Sequence, residues 1–567
     1  MARSTREAKS CALERILGRE MNMPDAQIDL EESDKEEHLS DIEEAELEVA
    51  LSDASDGSSS SCSRPESPEP AAQAEAVGHR YVSPSGQAWS TNPPARCGQR
   101  PAGNILRLRP GITQFATARL HDEESAFKLL FDADMVDTIV VETNREATRV
   151  LGQAWLPTTR VEMYGYIGLC FLRGVFKGNM ESIEELWSAD CGRKIFAETM
   201  SLSRFKSLLR FLRFDNRETR AARLQRDKLA AVRLLLDGLV SNSQRSYVPS
   251  GAVTVDEQLF PYRGRCRYIQ YMPMKPAKYG LKFWCLNDAA NAYCWNLQMY
   301  VGREEDREVS LGEHVVLRLA EGLRGSGMGI TVDNFFCSLS LARRLQRWNL
   351  TLLGSMRSHR REVPLQMRSC RNRQLHSTEF VYTEEDKIQL AAYKAKPNKL
   401  VLILSSQHSS PAVSAHPAQK PQVILDYNAT KGGTDLMDQM TSCYSTKYKS
   451  RRWHVPVFCN LLNIAGLNSF LLHQTVFPNR FANAPHRRRL YLVALGRALT
   501  QPLRYQVEAG RNPPATVPVH GVQRGRCHMC GRSKDRKTRT RCTHCDRFCC
   551  AEHLQEICLA CTGDMPE

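Results

Sequence analysis

Asp256, Asp333 and Asp435 stand in three settings that suit one kind of chemistry. Asp256 closes the β-patterned run Val253-Thr254-Val255, and Asp333 closes a second, Ile330-Thr331-Val332. Asp435 follows Gly432-Gly433-Thr434, which reads as a turn and N-cap opening a helix. Asp438 lies three residues on, hence on the same helical face. Carboxylates delivered by two strand ends and a helix start are suited to two Mg²⁺, which take oxygen ligands and keep several waters; Mn²⁺ can substitute. Such a pair activates the attacking oxygen and stabilises the leaving one in a phosphoryl displacement, with no covalent intermediate on the protein. Singly, each acid has a plainer reading. An Asp at a strand end is commonly a turn former, and one in a first helical turn is favoured by the helix dipole. The set of them points to catalysis.

Bases flank these acids. Arg263, Arg265, Lys275 and Lys278 follow the first one and suit phosphate contacts, although a hairpin also carries surface bases for solubility. Arg451 and Arg452 precede Trp453, an aromatic that either stacks on an unpaired base or anchors the next helix in the core. Arg204, Lys206, Arg210, Arg213 and Arg217 form a further row, open to the same choice between DNA contact and a solvated face.

Metal-ligand spacing recurs near the C-terminal end. Cys527-x-x-Cys530, Cys542-x-x-Cys545, Cys550-x-x-His553 and Cys558-x-x-Cys561 are four ligand pairs, enough for two tetrahedral Zn²⁺ sites. A segment of this size has almost no core, so zinc would supply most of its folding free energy. Cys549 is left as a spare, and the segment Arg524 to Arg541 carries eight bases against Asp535. That basic stretch suits DNA contact or a nuclear import signal, hence a nuclear location.

The elements that must position the acids follow from periodicity. Residues 125–245 read as mostly helical, with three- and four-residue apolar spacing at Val161 to Phe176 and Leu202 to Phe214. Strands are predicted at Ala252 to Phe260, Ile269 to Met272, Lys278 to Leu286 and Tyr293 to Val301. A helix at Leu311 to Leu323 precedes the strand at 329–333, and a helix at Leu339 to Trp348 precedes the strand Thr351 to Ser355. A strand series, a helix and a further strand, with acids on the first and last strands, is the order of an RNase H-like α/β core. The stretch between Arg361 and Lys420 reads as an insertion with its own strand at Leu400 to Leu404, and the chain is helical again after Asp438.

At 567 residues the chain is too long for one ordinary core. Its formal charge is +14, but residues 21–70 hold 16 acids and 2 bases, so the remainder carries +28, a balance that suits a polyanionic partner. The acidic, Ser- and Pro-rich composition of residues 1 to about 110 predicts disorder. No signal peptide or span of about 18 apolar residues is evident, and Leu461 to Leu472 is short and interrupted by Asn463 and Asn468. A soluble, intracellular protein with no membrane partner is expected, with its scattered cysteines reduced.

The words around the acids closely resemble those of the piggyBac-type DNA transposases (piggyBac transposable element-derived proteins), a DDE/D family. The matching stretches are VDEQLFPYRGRCRYIQYMPMKPAKYGLK, ITVDNFF, NATKGGTDLMDQM and RRWHVPVFCNLLNIAGLNSF, and the likeness runs from about Gly111 to Cys561. The resemblance implies that Asp256, Asp333 and Asp435 bind the catalytic metals, with Asp438 assisting. It implies nicking of double-stranded DNA at transposon terminal repeats, hairpin formation and joining to TTAA targets by a homodimer. It also implies a cross-braced RING- or PHD-like zinc domain in which Cys527, Cys530, Cys550 and His553 hold one ion and Cys542, Cys545, Cys558 and Cys561 the other. The expected organisation is a disordered region 1–110, a helical DNA-binding and dimerisation domain in two segments, 111–250 and 446–510, and a catalytic core in two segments, 251–361 and 422–445. An insertion domain at 362–421, a linker at 511–523 and the zinc domain at 524–567 complete it. A domesticated nuclear derivative that binds DNA without cutting it is the alternative.

Overall fold

The structure, a computed structural model, describes residues 79–94, 105–178, 181–302, 310–482 and 484–511, and then 525–530, 537–538, 540 and 547–553. Two compact units divide near residue 503.

The first unit is built on one long sheet. A hairpin of β1 (Arg80–Val82) and β2 (Ala88–Ser90) lies at one edge. β3 (Gly111–Ile112) and β4 (Tyr247–Val248) form a separate small ladder. Between them run the helices α1 (Ala133–Leu151), α2 (Arg160–Val175), α3 (Leu202–Phe211) and α4 (Arg233–Ser246). Next come β5 (Ala252–Pro261), β6 (Ile269–Tyr271), β7 (Tyr279–Asp288) and β8 (Cys294–Met299). Helix α5 (Leu311–Ala320), β9 (Gly329–Val332), α6 (Leu339–Arg347) and β10 (Thr351–Ser355) follow. β11 (Thr378–Thr383), β12 (Gln389–Lys396) and β13 (Lys399–Ser405) precede α7 (Gln422–Thr430), α8 (Gly433–Cys443), α9 (His454–Val476) and α10 (Arg487–Arg511).

The sheet order is β1-β2-β11-β12-β13-β10-β9-β5-β7-β6, with β8 also pairing β7. β5, β9 and β10 are parallel, and β7 and β8 are antiparallel to their neighbours. Parallel neighbours need helical crossovers, which α5 and α6 supply; their apolar faces, such as Val315, Val316, Leu341 and Leu345, are buried.

Two expectations are corrected here. Residues 362–421 do not stand apart: β11 to β13 continue the central sheet through antiparallel pairing of β13 with β10. Disorder to residue 110 does not hold for residues 79–94, and residues 1–78 lie outside the described residues. The hairpin pairs with β11, and Trp89 is fully buried with its indole N–H donating to the Glu362 carbonyl at 3.0 Å. One buried tryptophan and a paired edge are enough local burial to order a segment whose average composition argues otherwise.

Helix α9 is the spine of the helical layer. Among the described residues it alone is long and apolar enough to cross a membrane, and it is wholly buried by protein. The asparagines that interrupt its apolar run all find partners. Asn468 accepts from the Cys294 N–H at 2.9 Å and donates to the Cys294 carbonyl at 2.8 Å, pairing with β8 as a strand would. Asn463 accepts from the Thr446 N–H at 2.9 Å. Buried amides are tolerated because they are satisfied, and they lock the helix to its neighbours.

Candidate active site

The parallel register of β5 and β9 pairs Val255 with Val332, so Asp256 and Asp333 lie side by side, one residue beyond the last pair. Asp333 follows the end of β9, whereas Asp256 is not at a strand end as expected but midway along β5, paired with Cys285 of β7. Beneath them the end of α7 is pinned to both strands. Thr254 Oγ1 donates to the Thr430 carbonyl at 2.5 Å, and Thr331 Oγ1 shares a 2.7 Å hydrogen bond with Thr430 Oγ1. The chain then turns through Gly432 into α8, which packs on β5 and β7. Thr434 is not the N-cap expected. Gly432 holds that position without a side-chain bond, and Thr434 is buried, donating to Asn287 Oδ1 at 3.0 Å. The hydroxyl ties the helix to the sheet instead of finishing its own end.

Helix α8 brings the other two acids. Asp438 accepts from Gln258 Nε2 at 2.9 Å, and the Gln258 carbonyl oxygen accepts from Asn460 Nδ2 of α9 at 2.8 Å. Asp256, Asp333 and Asp438 are half-buried, while Asp435 is exposed at the rim. No three of these carboxylates have oxygens within 4.8 Å of one another.

The electrostatics show what this assembly costs. Burial, then Glu257 and Asp333, pushes the Asp256 carboxyl well above the ordinary carboxylate range. Burial and then Glu257 raise Asp333 to about 6, against the Phe335 and Phe336 N–H groups and Arg357. Burial raises Asp438 despite Gln258 and Lys275. Acids crowded in a partly desolvated place resist ionising together, and a divalent cation relieves that repulsion. The donors are all oxygen, so the residues fit Mg²⁺ or Mn²⁺.

The expected DNA-contacting bases divide. Arg263, Arg265, Lys278 and Arg451 are exposed, Arg263 lying over the Tyr279 ring at 5.2 Å. Trp453 is half-buried, edge-on to Tyr268 at 5.5 Å. Arg452 is otherwise engaged: its guanidinium donates to the carbonyls of Leu209, Arg210 and Leu212, closing the C-terminal end of α3. Burial, then Arg213, lowers its pKa to about 10. Its assignment as a DNA contact is corrected to a helix cap, satisfying carbonyls that α3 leaves without partners. In the further basic row, Arg204 pairs with Glu162, Lys206 with Glu184, and both Arg213 and Arg217 with Glu146.

The second unit is described in part. β14 (Gly525–Arg526) pairs with β15 (Lys537–Thr538) beside a cluster of Cys527, Cys530, Cys550 and His553. His553 Nδ1 lies 3.5, 3.5 and 3.4 Å from the sulfurs of Cys527, Cys530 and Cys550, and Cys530 Sγ lies 3.7 Å from Cys550 Sγ. Tetrahedral zinc with bonds of about 2.3 Å to sulfur and 2.0–2.1 Å to nitrogen needs edges of roughly 3.5–3.8 Å, so the set fits. Cys549 is buried outside this set, 3.4 Å from His528 Nδ1. Cys542, Cys545, Cys558 and Cys561 lie outside the described residues.

The family described as Transposase IS4 matches residues 122–470. A human protein, piggyBac transposable element-derived protein 3, is 24% identical over 447 residues, 74% of this chain and 73% of its own. A piggyBac transposase solved by cryo-EM as a synaptic complex with hairpin DNA superposes with a TM-score of 0.67 at 29% identity. That match covers 80% of this chain and 100% of the other. The chain belongs to the piggyBac-type transposase family.

Within this family frame, two residues at the site, Glu257 and Gln258, escaped the sequence reading, and a third was given a different role. Glu257 follows Asp256 in β5 and is the largest charge acting on Asp333. Gln258 joins Asp438 to α9. Lys275 was expected at the DNA surface, but its Nζ donates to the Glu257 carbonyl at 3.1 Å and lies 3.9 Å from the Glu257 carboxylate. Burial opposes its charge, but Glu257, Asp256, Asp435 and Asp438 outweigh it and raise its pKa. The word Asp256-Glu257-Gln258 held a faint signal, since three consecutive polar residues are unusual in a central strand.

Proposed function

We propose that this chain is a metal-dependent DNA transposase that moves DNA by cut and paste. The observation that carries the reading is that parallel strands set Asp256 and Asp333 side by side, with α8, which bears Asp435 and Asp438, packed on the same β5. The order β8-β7-β5-β9-β10, with three antiparallel and then two parallel strands, supports an RNase H-like core. Two Mg²⁺ held by Asp256, Asp333 and Asp435 would supply activation of water or a 3′-hydroxyl and stabilisation of the leaving oxygen. The protein's own part is to fix the carboxylates and present bases to the DNA backbone. Arg263, Arg265, Lys278 and Arg451 are the exposed bases suited to phosphates.

The relative solved with hairpin DNA supports DNA as the partner; nicking, hairpin formation and joining at TTAA are the steps the family resemblance implies. Homodimeric action on two transposon ends in the nucleus belongs to the same reading. The Cys/His cluster would hold structural zinc, with a second ion on Cys542, Cys545, Cys558 and Cys561, and would help recognise the ends.

An excision assay in cells tests this, using a reporter flanked by the element's own terminal repeats and comparing wild type with Asp333→Ala. Precise repair to TTAA with wild type, and none with the variant, is the expected result. Excision by neither protein, with binding to the ends retained, would replace the reading with a DNA-binding derivative that does not cut.

A further inference from the structure

Lys275 faces the acids, and the loop that carries it is built to aim it there. Between β6 and β7 the Lys275 N–H donates to the Met272 carbonyl at 3.1 Å, and the Met272 N–H to the Lys278 carbonyl at 2.7 Å. This closed turn sends the Lys275 side chain back to β5, where Glu257 receives it and leaves it 21% exposed. Arg357 Nε donates to Asn334 Oδ1 at 3.0 Å and acts on Asp333.

The charges of these groups can be balanced. Asp256, Glu257, Asp333, Asp435 and Asp438, set against Lys275 and Arg357, leave a formal charge of −3. Two divalent cations would bring it to +1, which attracts a phosphodiester and is neutralised by one. Without Lys275 the metal-free cluster would stand at −4, and the loaded site would be neutral and indifferent to phosphate.

We infer that Lys275 is the built-in counter-cation of the four-aspartate site, held in place by Glu257. It steadies the carboxylates while no metal is bound, and it leaves the loaded site with the positive charge that favours an anionic substrate. It is a positioning residue, not a group that reacts. The cost is metal affinity, because a fixed positive charge that acts on the same carboxylates repels each incoming cation. This inference rests on the metal-dependent reading above.

The test is Mn²⁺ binding to the zinc-loaded full-length protein without DNA, followed by the EPR signal of free Mn²⁺. Wild type, Lys275→Met and Lys275→Arg are compared. Lys275→Met should bind Mn²⁺ about tenfold more tightly yet nick DNA more slowly at saturating Mn²⁺. Lys275→Arg should keep wild-type Mn²⁺ affinity. Unchanged or weaker binding by Lys275→Met would overturn the inference, since a merely structural lysine predicts no gain. If Lys275→Met does not fold even with Mn²⁺, Lys275→Gln decides: tighter binding supports the inference, and unchanged or weaker binding overturns it. A wild type that binds no Mn²⁺ would bring down the metal-dependent reading and this inference with it, a failure recognisable from wild type alone.

Discussion

Replacing Gly433 with alanine probes the docking of α8 at its tightest point. A Cβ there would meet Thr254 Oγ1 at 2.8 Å, Thr254 Cβ at 3.2 Å and Ala289 Cα at 3.3 Å. Ordinary contact begins near 3.4 Å, so something must yield by about 0.6 Å. Thr254 is poorly placed to yield: it is buried on the central strand, and its hydroxyl is committed to the Thr430 carbonyl. The helix start therefore moves, and Asp435 lies two residues along it. Overpacking of this kind costs about 1–3 kcal/mol. A displacement approaching 1 Å at a catalytic group costs on the order of 10²-fold in rate, so about 0.6 Å predicts a loss of roughly ten- to a hundredfold. Gly432 provides the control, since a Cβ there meets nothing within 4 Å. The assay is metal-dependent nicking of a terminal-repeat oligonucleotide, with thermal melts on the same samples. Wild-type nicking by Gly433→Ala would refute the argument. So would equal damage from Gly432→Ala, which would point to backbone flexibility instead of close approach.

The ion cluster around Glu146 should dominate acid stability in the helical layer. Arg149, then Arg217 and Arg213, hold this carboxyl at about 2, below its ordinary 4.5. A depressed acid stabilises the fold above its unfolded pKa, so that contribution is complete above about pH 4.5 and lost as the pH falls through about 2. Allowing for screening of the half-exposed Arg149 and Arg217, Glu146→Gln should cost on the order of 2 kcal/mol at pH 7 and little near pH 2, read by urea melts at both. Arg452→Met should lower the melting temperature, while Arg263→Ala should leave it unchanged and reduce the salt dependence of DNA binding by about one counterion; the reverse pattern would restore Arg452 to the DNA surface. Cys530→Ser should release about one zinc per chain in a metal assay while residues 79–503 keep their melting transition, and full retention of zinc would refute its role as a ligand.

Much of the site was legible because its signals are local. A strand that ends just before Asp333, a glycine pair at a helix start, and CxxC spacing are read within a few residues, whereas Asp256 proved to lie mid-strand. The strand and helix positions flanking Asp256 and Asp333 followed from periodicity for the same reason. The misreadings fell where the deciding interaction crosses the chain. Trp89 meets Glu362, Arg452 meets the end of α3, and Lys275 meets Glu257 across a turn. In each case composition or spacing described the residue correctly and said nothing of its partner.

The sequence by itself determined which groups are available: four aspartates on or beside predicted elements, ligand pairs at zinc spacing, and a basic body beyond an acidic first segment. Tertiary structure alone decided which of them work together. Parallel register sets Asp256 beside Asp333, and the bare Cα of Gly433, where a Cβ would meet Thr254 Oγ1 at 2.8 Å, lets the helix that bears Asp435 seat on β5. Which bases are spent inside the protein follows from burial, because a desolvated charge must find a partner wherever the chain brings one.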